Sequence, residues 1–279
     1  MRRTARRAPR THKPARLAVV LATVVAVCGT LMLVPADGGA SGLARRDLLA
    51  ASQQPTASHT GQAFGGVAAV GALFTETAGK LDSHFCTGSV VDSAHGDLVI
   101  TAAHCVTDKP GKIVFVPGYA NGKEPLGIWQ VTGVYTDKAW QSTQDQDNDV
   151  AFLRLARASD GVPVENVTGA ERLGGIASQR SPSLVQVIGY PDAAALPVLC
   201  VNWIKTFSAT QLEFDCGGFT NGTSGGPFLA DVSAGSGQGT IIGVIGGYEQ
   251  GGDTPEVSYS IVFGPNVASL YEQAESAGA

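Results

Sequence analysis

Asn221-Gly222-Thr223-Ser224-Gly225-Gly226-Pro227 packs three glycines and a proline around one serine. A serine hydroxyl is a weak nucleophile at neutral pH. It attacks a carbonyl when a base takes its proton, a carboxylate orients that base, and N–H donors receive the charge that builds on the oxygen. The loop itself can supply the donors. Glycine reaches backbone angles closed to other residues, so the N–H groups of Gly222 and Ser224 can turn inward and converge on an oxyanion. Losing one such donor typically costs roughly 3–4 kcal/mol of transition-state stabilisation. Taken alone, the segment also reads as a plain β-turn ahead of Pro227–Leu229.

The base must come from five histidines. His12 lies in a basic N-terminal run and His59 in a stretch of low complexity. His84 follows Asp82-Ser83, and His95 is flanked by Asp92, Ser93 and Gly96, as surface turns are. His104 differs. Thr101-Ala102-Ala103-His104-Cys105 closes the apolar run Leu98–Ile100, and a strand end can present a base at a cleft. For the carboxylate, Asp145-Gln146-Asp147-Asn148-Asp149 precedes the run Val150–Leu153. Asp149 abuts that run and is expected to be the most buried; Asp147 is the fallback, and Asp145 reads as solvated. The alternating acids resemble the start of an EF-hand loop. Val150 stands where that loop needs glycine and Ala156 where it needs glutamate, so no metal is expected there. The letters Gly-x-Ser-x-Gly also fit the nucleophile elbow of α/β-hydrolases, in which the histidine follows the serine. No histidine follows His104 here.

Three distant segments must therefore be brought together, and the elements between them are short. Runs rich in branched and aromatic residues recur at Val67–Phe74, Gly88–Asp92, Leu98–Ala102, Lys112–Val116, Trp129–Tyr135, Val150–Leu155, Leu184–Gly189, Val198–Phe207, Gln211–Asp215, Pro227–Ala230, Thr240–Gly246 and Val257–Val262. Turn pairs such as Asn121-Gly122 and Gly251-Gly252 punctuate them. Such a series predicts an all-β fold of two antiparallel barrels, with a C-terminal helix over Val267–Ala277 and a connector over about 156–183. Of the 279 residues, 15% are charged and 36 are glycine, which excludes a coiled coil.

The front of the chain reads as an export signal. Seven Lys and Arg residues up to Arg16 precede an uncharged apolar run, Leu17–Val34, and then the small residues Ala36 to Ala40. An uncleaved membrane anchor is the alternative, since the run is just long enough to span. Residues 41–65, rich in Ala, Ser, Gln, Thr and Gly, read as a pro-segment or linker, with the ordered domain expected over 66–279. Residues 1–40 carry a charge of +6, so the rest of the chain carries −11 against −5 for the whole. That excess of acid argues against nucleic-acid binding. Cys86, Cys105, Cys200 and Cys216 allow three pairings. The local one closes two short loops, each worth about 3 kcal/mol on the chain-entropy estimate. A zinc site fails on spacing, and no cofactor is indicated. Asn166-Val167-Thr168 and Asn221-Gly222-Thr223 match glycosylation acceptors.

Thr101-Ala102-Ala103-His104-Cys105, Asn148-Asp149-Val150-Ala151-Phe152-Leu153 and Gly222-Thr223-Ser224-Gly225-Gly226-Pro227 together resemble the three signature blocks of chymotrypsin-like serine proteases, in their order and spacing. The resemblance covers about residues 66–272. It implies a pair of six-stranded β-barrels with the site in the cleft between them, a Cys86–Cys105 bridge beside the histidine, and a secreted endopeptidase acting through His104, Asp149 and Ser224. A catalytically silent binding module on the same fold is the alternative. Expected partners are protein or peptide substrates and a protein inhibitor, with the mature chain a monomer free of membrane.

The sequence also departs from the family. Digestive members carry Asp before the serine, paired with a newly released N-terminus; this chain has Thr223 and no clear Ile-Val-Gly-Gly. Activity is therefore expected not to require a buried new N-terminus, as in bacterial secreted members such as the glutamyl endopeptidase-like group. Gly218 stands where trypsin has its acidic pocket floor. Gly246, Gly247 and Tyr248 are expected to form the pocket wall, and Ile245 replaces the histidine of glutamate-specific relatives. Glu249 and Glu256 could favour a basic side chain, leaving the choice between apolar and basic open.

Overall fold

The computed structural model describes residues 59–277 except 110, 158 and 176–182. The expected signal peptide and residues 41–58 of the expected pro-segment lie outside the described residues. Each of the twelve sequence-predicted runs contributes a strand.

The first half is a closed barrel. Its strands are β2 (Val70–Thr77), β3 (Lys80–Val91), β4 (Leu98–Thr101), β5 (Lys112–Pro117), β6 (Trp129–Thr136) and β7 (Ala151–Ala156). They pair in the order β2-β3-β4-β7-β6-β5, and β5 pairs back to β2. Alternation along the strands serves two cores at once. Leu73, Val90, Val99, Phe115, Trp129 and Leu153 cluster together in this half. Residues of opposite parity, such as Val70, Ile100 and Phe152, pack with Ile188, Leu229, Val244 and Ile261 of the second half. Gly71 and Gly88 face each other in register. A Cβ on Gly71 would come 2.7 Å from the Phe115 ring. The paired glycines thus make room for that aromatic.

The second half runs β14 (Val257–Ile261), β11 (Gln211–Asp215), β10 (Val198–Thr206), β9 (Leu184–Gly189), β12 (Pro227–Ala230), β13 (Thr240–Val244) and β8 (Arg172–Leu173), with β1 (Gln62–Ala63) pairing on β10. This makes eight strands where six were expected. No ladder joins β13 to β14. Instead Gly246 N–H donates to Tyr259 O at 3.0 Å, and Val244 N–H to Ser260 Oγ at 2.9 Å. The arrangement is the chymotrypsin-like double barrel.

Two differences from the sequence reading have physical reasons. Residues 60–64 belong to the fold, because Gly61 N–H donates to Gly217 O at 2.7 Å and Phe64 packs on the core. The domain therefore includes residues ahead of Gly66. Strand β3 is 12 residues long and includes His84, which is no surface turn. That ring is buried against Phe74, Tyr119 and Tyr190, with Nε2 2.8 Å from Pro191 O, so its polar edge is satisfied inside the protein. His95 does sit in an exposed turn.

The connector is tied down as well. Glu171 N–H donates to Val90 O and Asp92 N–H to Glu171 O, each at 2.9 Å, while its side chain accepts from Gly239 N–H of the second half. Burial raises this carboxyl from 4.5 to about 7. The C-terminal helix (Pro265–Ser276) starts with proline in its first turn, and Val267, Leu270 and Ala274 form its buried stripe. Disulfides join Cys86 to Cys105 and Cys200 to Cys216. Among the described residues, no helix is long and apolar enough to cross a membrane.

Candidate active site

His104 and Asp149 meet because two strands pair. Thr101 at the end of β4 stands opposite Ala151 at the start of β7. A single 3-10 turn, Ala103–Cys105, carries His104 off the strand end, and Cys105 ties the same turn to Cys86. Asp149 sits two residues before Ala151 at the end of another 3-10 turn. His104 N–H donates to Asp149 Oδ1 at 2.9 Å, and Nδ1 lies 2.7 Å from Oδ2. A carboxylate can only accept, so the proton sits on Nδ1 and Nε2 keeps its lone pair. Gly247 N–H adds a third donor to Asp149 at 2.9 Å. The carboxylate is fully buried, yet three donors compensate it. Of its neighbours, Asp147 accepts from Gln211 Nε2 at 2.7 Å, and Asp145 caps its own turn through Asp147 N–H and Asn148 Nδ2.

Ser224 and His104 line one cavity of about 580 Å³. No hydrogen bond joins their side chains. Gly222 has φ +91°, in the left-handed region that favours glycine, and a Cβ there would lie 2.5 Å from both Tyr190 O and Asp192 N. Carbonyl and N–H point opposite ways across a peptide plane. Asn221 O is held by Asp192 N–H at 2.7 Å, and Thr223 O by Gly226 N–H at 2.9 Å. Each bond turns the N–H of the following residue the other way. Neither Gly222 N–H nor Ser224 N–H has an acceptor among the described residues. Thr223 is buried, and its hydroxyl donates to Thr220 O at 2.8 Å, so it is satisfied within its own loop.

The pocket wall differs from the expectation. Besides His104 and Ser224, the cavity is lined by Phe219, Thr220, Ile245 and the run Glu249–Pro255. Gly218 opens instead onto a second depression, with Trp203 and Glu256. Gly246 and Gly247 back onto Asp149: a Cβ on Gly246 would lie 3.0 Å from Oδ2. Tyr248 packs on Phe207 and Tyr259. The displacement follows from the backbone, since Gly247, Glu249, Gln250, Gly251 and Gly252 all have positive φ and the chain there turns continuously. Asp192, Glu249 and Asp253 line the cavity, and neither Lys nor Arg does among the described residues. Cys86, Cys105 and His104 cluster like metal ligands, but both sulfurs are spent in the disulfide.

The trypsin-like peptidase domain model matches residues 86–244, more than half of the chain. The chain belongs to this family. The match takes in both disulfides, His104, Asp149 and Ser224. Trypsin theta of Drosophila erecta is 38% identical to this chain over 77 residues, which is 28% of either chain. The protease Anisep of Arthrobacter nicotinovorans has the same fold, with a TM-score of 0.65 at 24% identity over 78% of this chain and all of that one. The thermostable serine protease AL20 from an extremophilic microorganism superimposes with a TM-score of 0.63, at 24% identity over 75% of this chain and 97% of its own.

The sequence missed the supporting groups. Thr87, Asp192 and Gln211 hold the site through hydrogen bonds, yet nothing near them in the chain marks them. Each contact spans at least 29 residues.

Proposed function

We propose that this trypsin-like peptidase is a secreted serine endopeptidase in which Ser224 is the nucleophile, His104 the base and Asp149 its orienting carboxylate. The observation that carries this reading is one cavity lined by both a serine and a carboxylate-bound imidazole, with the serine in a loop whose Gly222 and Ser224 N–H groups have no acceptor among the described residues. On substrate binding, Ser224 Oγ attacks the scissile carbonyl carbon as its proton passes to His104 Nε2. The carbonyl oxygen gains charge between the N–H groups of Gly222 and Ser224. Collapse expels the amine, which takes the proton from His104 and leaves an acyl-enzyme. Water then repeats the sequence and frees the acid. Asp149 stays ionised and stabilises the imidazolium that forms twice per cycle. The hydrogen bond between serine and histidine is one that commonly tightens only when substrate seats. The satisfied Thr223 supports activity without an N-terminal ion pair, so the chain is expected to be active with residues 41–65 still attached.

The test is digestion of casein by the purified chain. Wild type is expected to yield internal fragments, and Ser224→Ala to lose at least about a thousandfold in rate. A folded wild type that cuts nothing would favour the silent binding module.

A further inference from the structure

We propose that Thr87, on strand β3 of the first barrel, is a positioning residue for the oxyanion donors of the second half. The inference rests on the reading of Ser224 as nucleophile. Four successive carbonyls of the nucleophile loop are each held by a donor. Two of them, Asn221 O and Thr223 O, are held from within the second half. The other two are held by Thr87: its hydroxyl donates to Gly222 O at 3.0 Å, and its N–H to Ser224 O at 2.7 Å.

The direction of that hydroxyl proton is fixed. Thr87 Oγ1 accepts from Tyr190 N–H at 2.8 Å, and a hydroxyl has a single proton, which is left for Gly222 O. The Thr87 carbonyl accepts from Thr101 Oγ1 at 2.7 Å. Thr87 is fully buried, so water does not compete for these groups.

The consequence falls on Gly222. Its φ and ψ are set by the two peptide planes that meet at its Cα. Asp192 pins the first plane; the second is held at both ends, by the Thr87 hydroxyl on Gly222 O and by Thr223 N–H donating to Thr220 O at 3.1 Å. Glycine has the widest backbone freedom of any residue, so these external bonds replace the restraint that a side chain would give. Losing the Thr87 bond loosens the second plane, and with it ψ of Gly222, the link that keeps the N–H groups of Gly222 and Ser224 aimed at the same point. The bond that Thr87 makes to Ser224 O does the same for the other donor, but it is a main-chain bond and survives substitution.

Thr87→Val keeps the shape and the main-chain bond and deletes the hydroxyl; Thr87→Ser keeps the hydroxyl. In the full chain, Thr87→Val is expected to lower kcat on a peptide substrate about 10- to 100-fold with KM within about twofold. Affinity for a peptide boronate is expected to fall by the same factor, and Thr87→Ser to retain most of both. Should the valine variant not fold, Thr87→Ala is judged by the same two readouts. Unchanged kcat and boronate affinity in a folded variant, or a serine variant as impaired as valine, overturns the positioning role. If Ser224→Ala kept its turnover, the reading of the nucleophile itself would fall, whatever Thr87 does.

Discussion

The two halves of the molecule hold their shares of the site by different means. In the first barrel the spacing of imidazole and carboxylate is a strand register: β4 and β7 pair, and the two residues stand just off their ends. In the second half the nucleophile loop follows no ladder. Glycines at unusual angles shape it, and carbonyls bonded one at a time steady it. A register tolerates many sequences so long as the strands pair. A loop of pinned peptide planes depends on particular residues, some of them in the other barrel. Substitutions at the register-held pair should therefore act on the chemistry of the proton, and those that touch the loop, Thr87 of the first barrel included, on the stabilisation of charge.

The largest expected effect lies in the first half. Asp149→Asn puts an amide where three N–H groups now donate. An amide N–H facing His104 would force the proton onto Nε2, the wrong tautomer for a base. A loss of about 10⁴-fold in kcat is expected, the size seen when the same substitution is made in a serine protease triad. Circular dichroism and thermal unfolding should show the fold retained. A loss below tenfold would mean that register alone does the orienting.

The next effect lies at the seam between the halves. Burial raises the Glu171 carboxyl to about 7, whereas in the unfolded chain it titrates near 4.5. The folded protein therefore holds a proton that the unfolded chain releases. The stability tied to that proton is complete below about pH 4.5 and is lost as pH rises through about 7. The full loss is roughly 3 kcal/mol. Glu171→Gln cannot ionise, so urea midpoints of wild type and variant should draw apart between pH 5 and pH 8, with the variant relatively more stable at the higher pH. Parallel curves would show that the seam is insensitive to this group.

The smallest effect concerns the cavity wall. Asp192, Glu249 and Asp253 give it a negative field with no lining Lys or Arg among the described residues. Exposed or half-exposed carboxylates contribute modestly in water. Glu249→Gln should lower kcat/KM for substrates with Lys or Arg before the cut by about two- to fivefold and leave Phe substrates unchanged. Equal effects on both would show that the residue shapes the wall without selecting charge.

The same contrast explains what was legible in the sequence. Runs such as Leu184–Gly189 and Gln211–Asp215 announce themselves by composition, and the structure has strands at those bounds. The short elements do not. Strands β1 and β8 have two residues each and exist because β10 and β13 pair with them. The helix Lys138–Thr143 is held by Asp137 at its start and by Trp140 buried beneath it. The polar stretch Asp82–His84 hid the first half of β3, because an apolar reading could not foresee the Pro191 carbonyl that satisfies His84. In the site, the histidine, the acids and the glycine-rich serine loop stand out by type. The wall could not be placed from spacing alone, since positive φ at Gly247 and at each residue from Glu249 to Gly252 carries the chain away from the positions an ordinary strand would reach.

The most direct test of the account is to treat the folded chain with a fluorophosphonate and locate the adduct by mass spectrometry of its peptides. The expected result is one stoichiometric adduct on Ser224, formed far more slowly in His104→Ala. An adduct on a different serine, or none on folded protein, would contradict it.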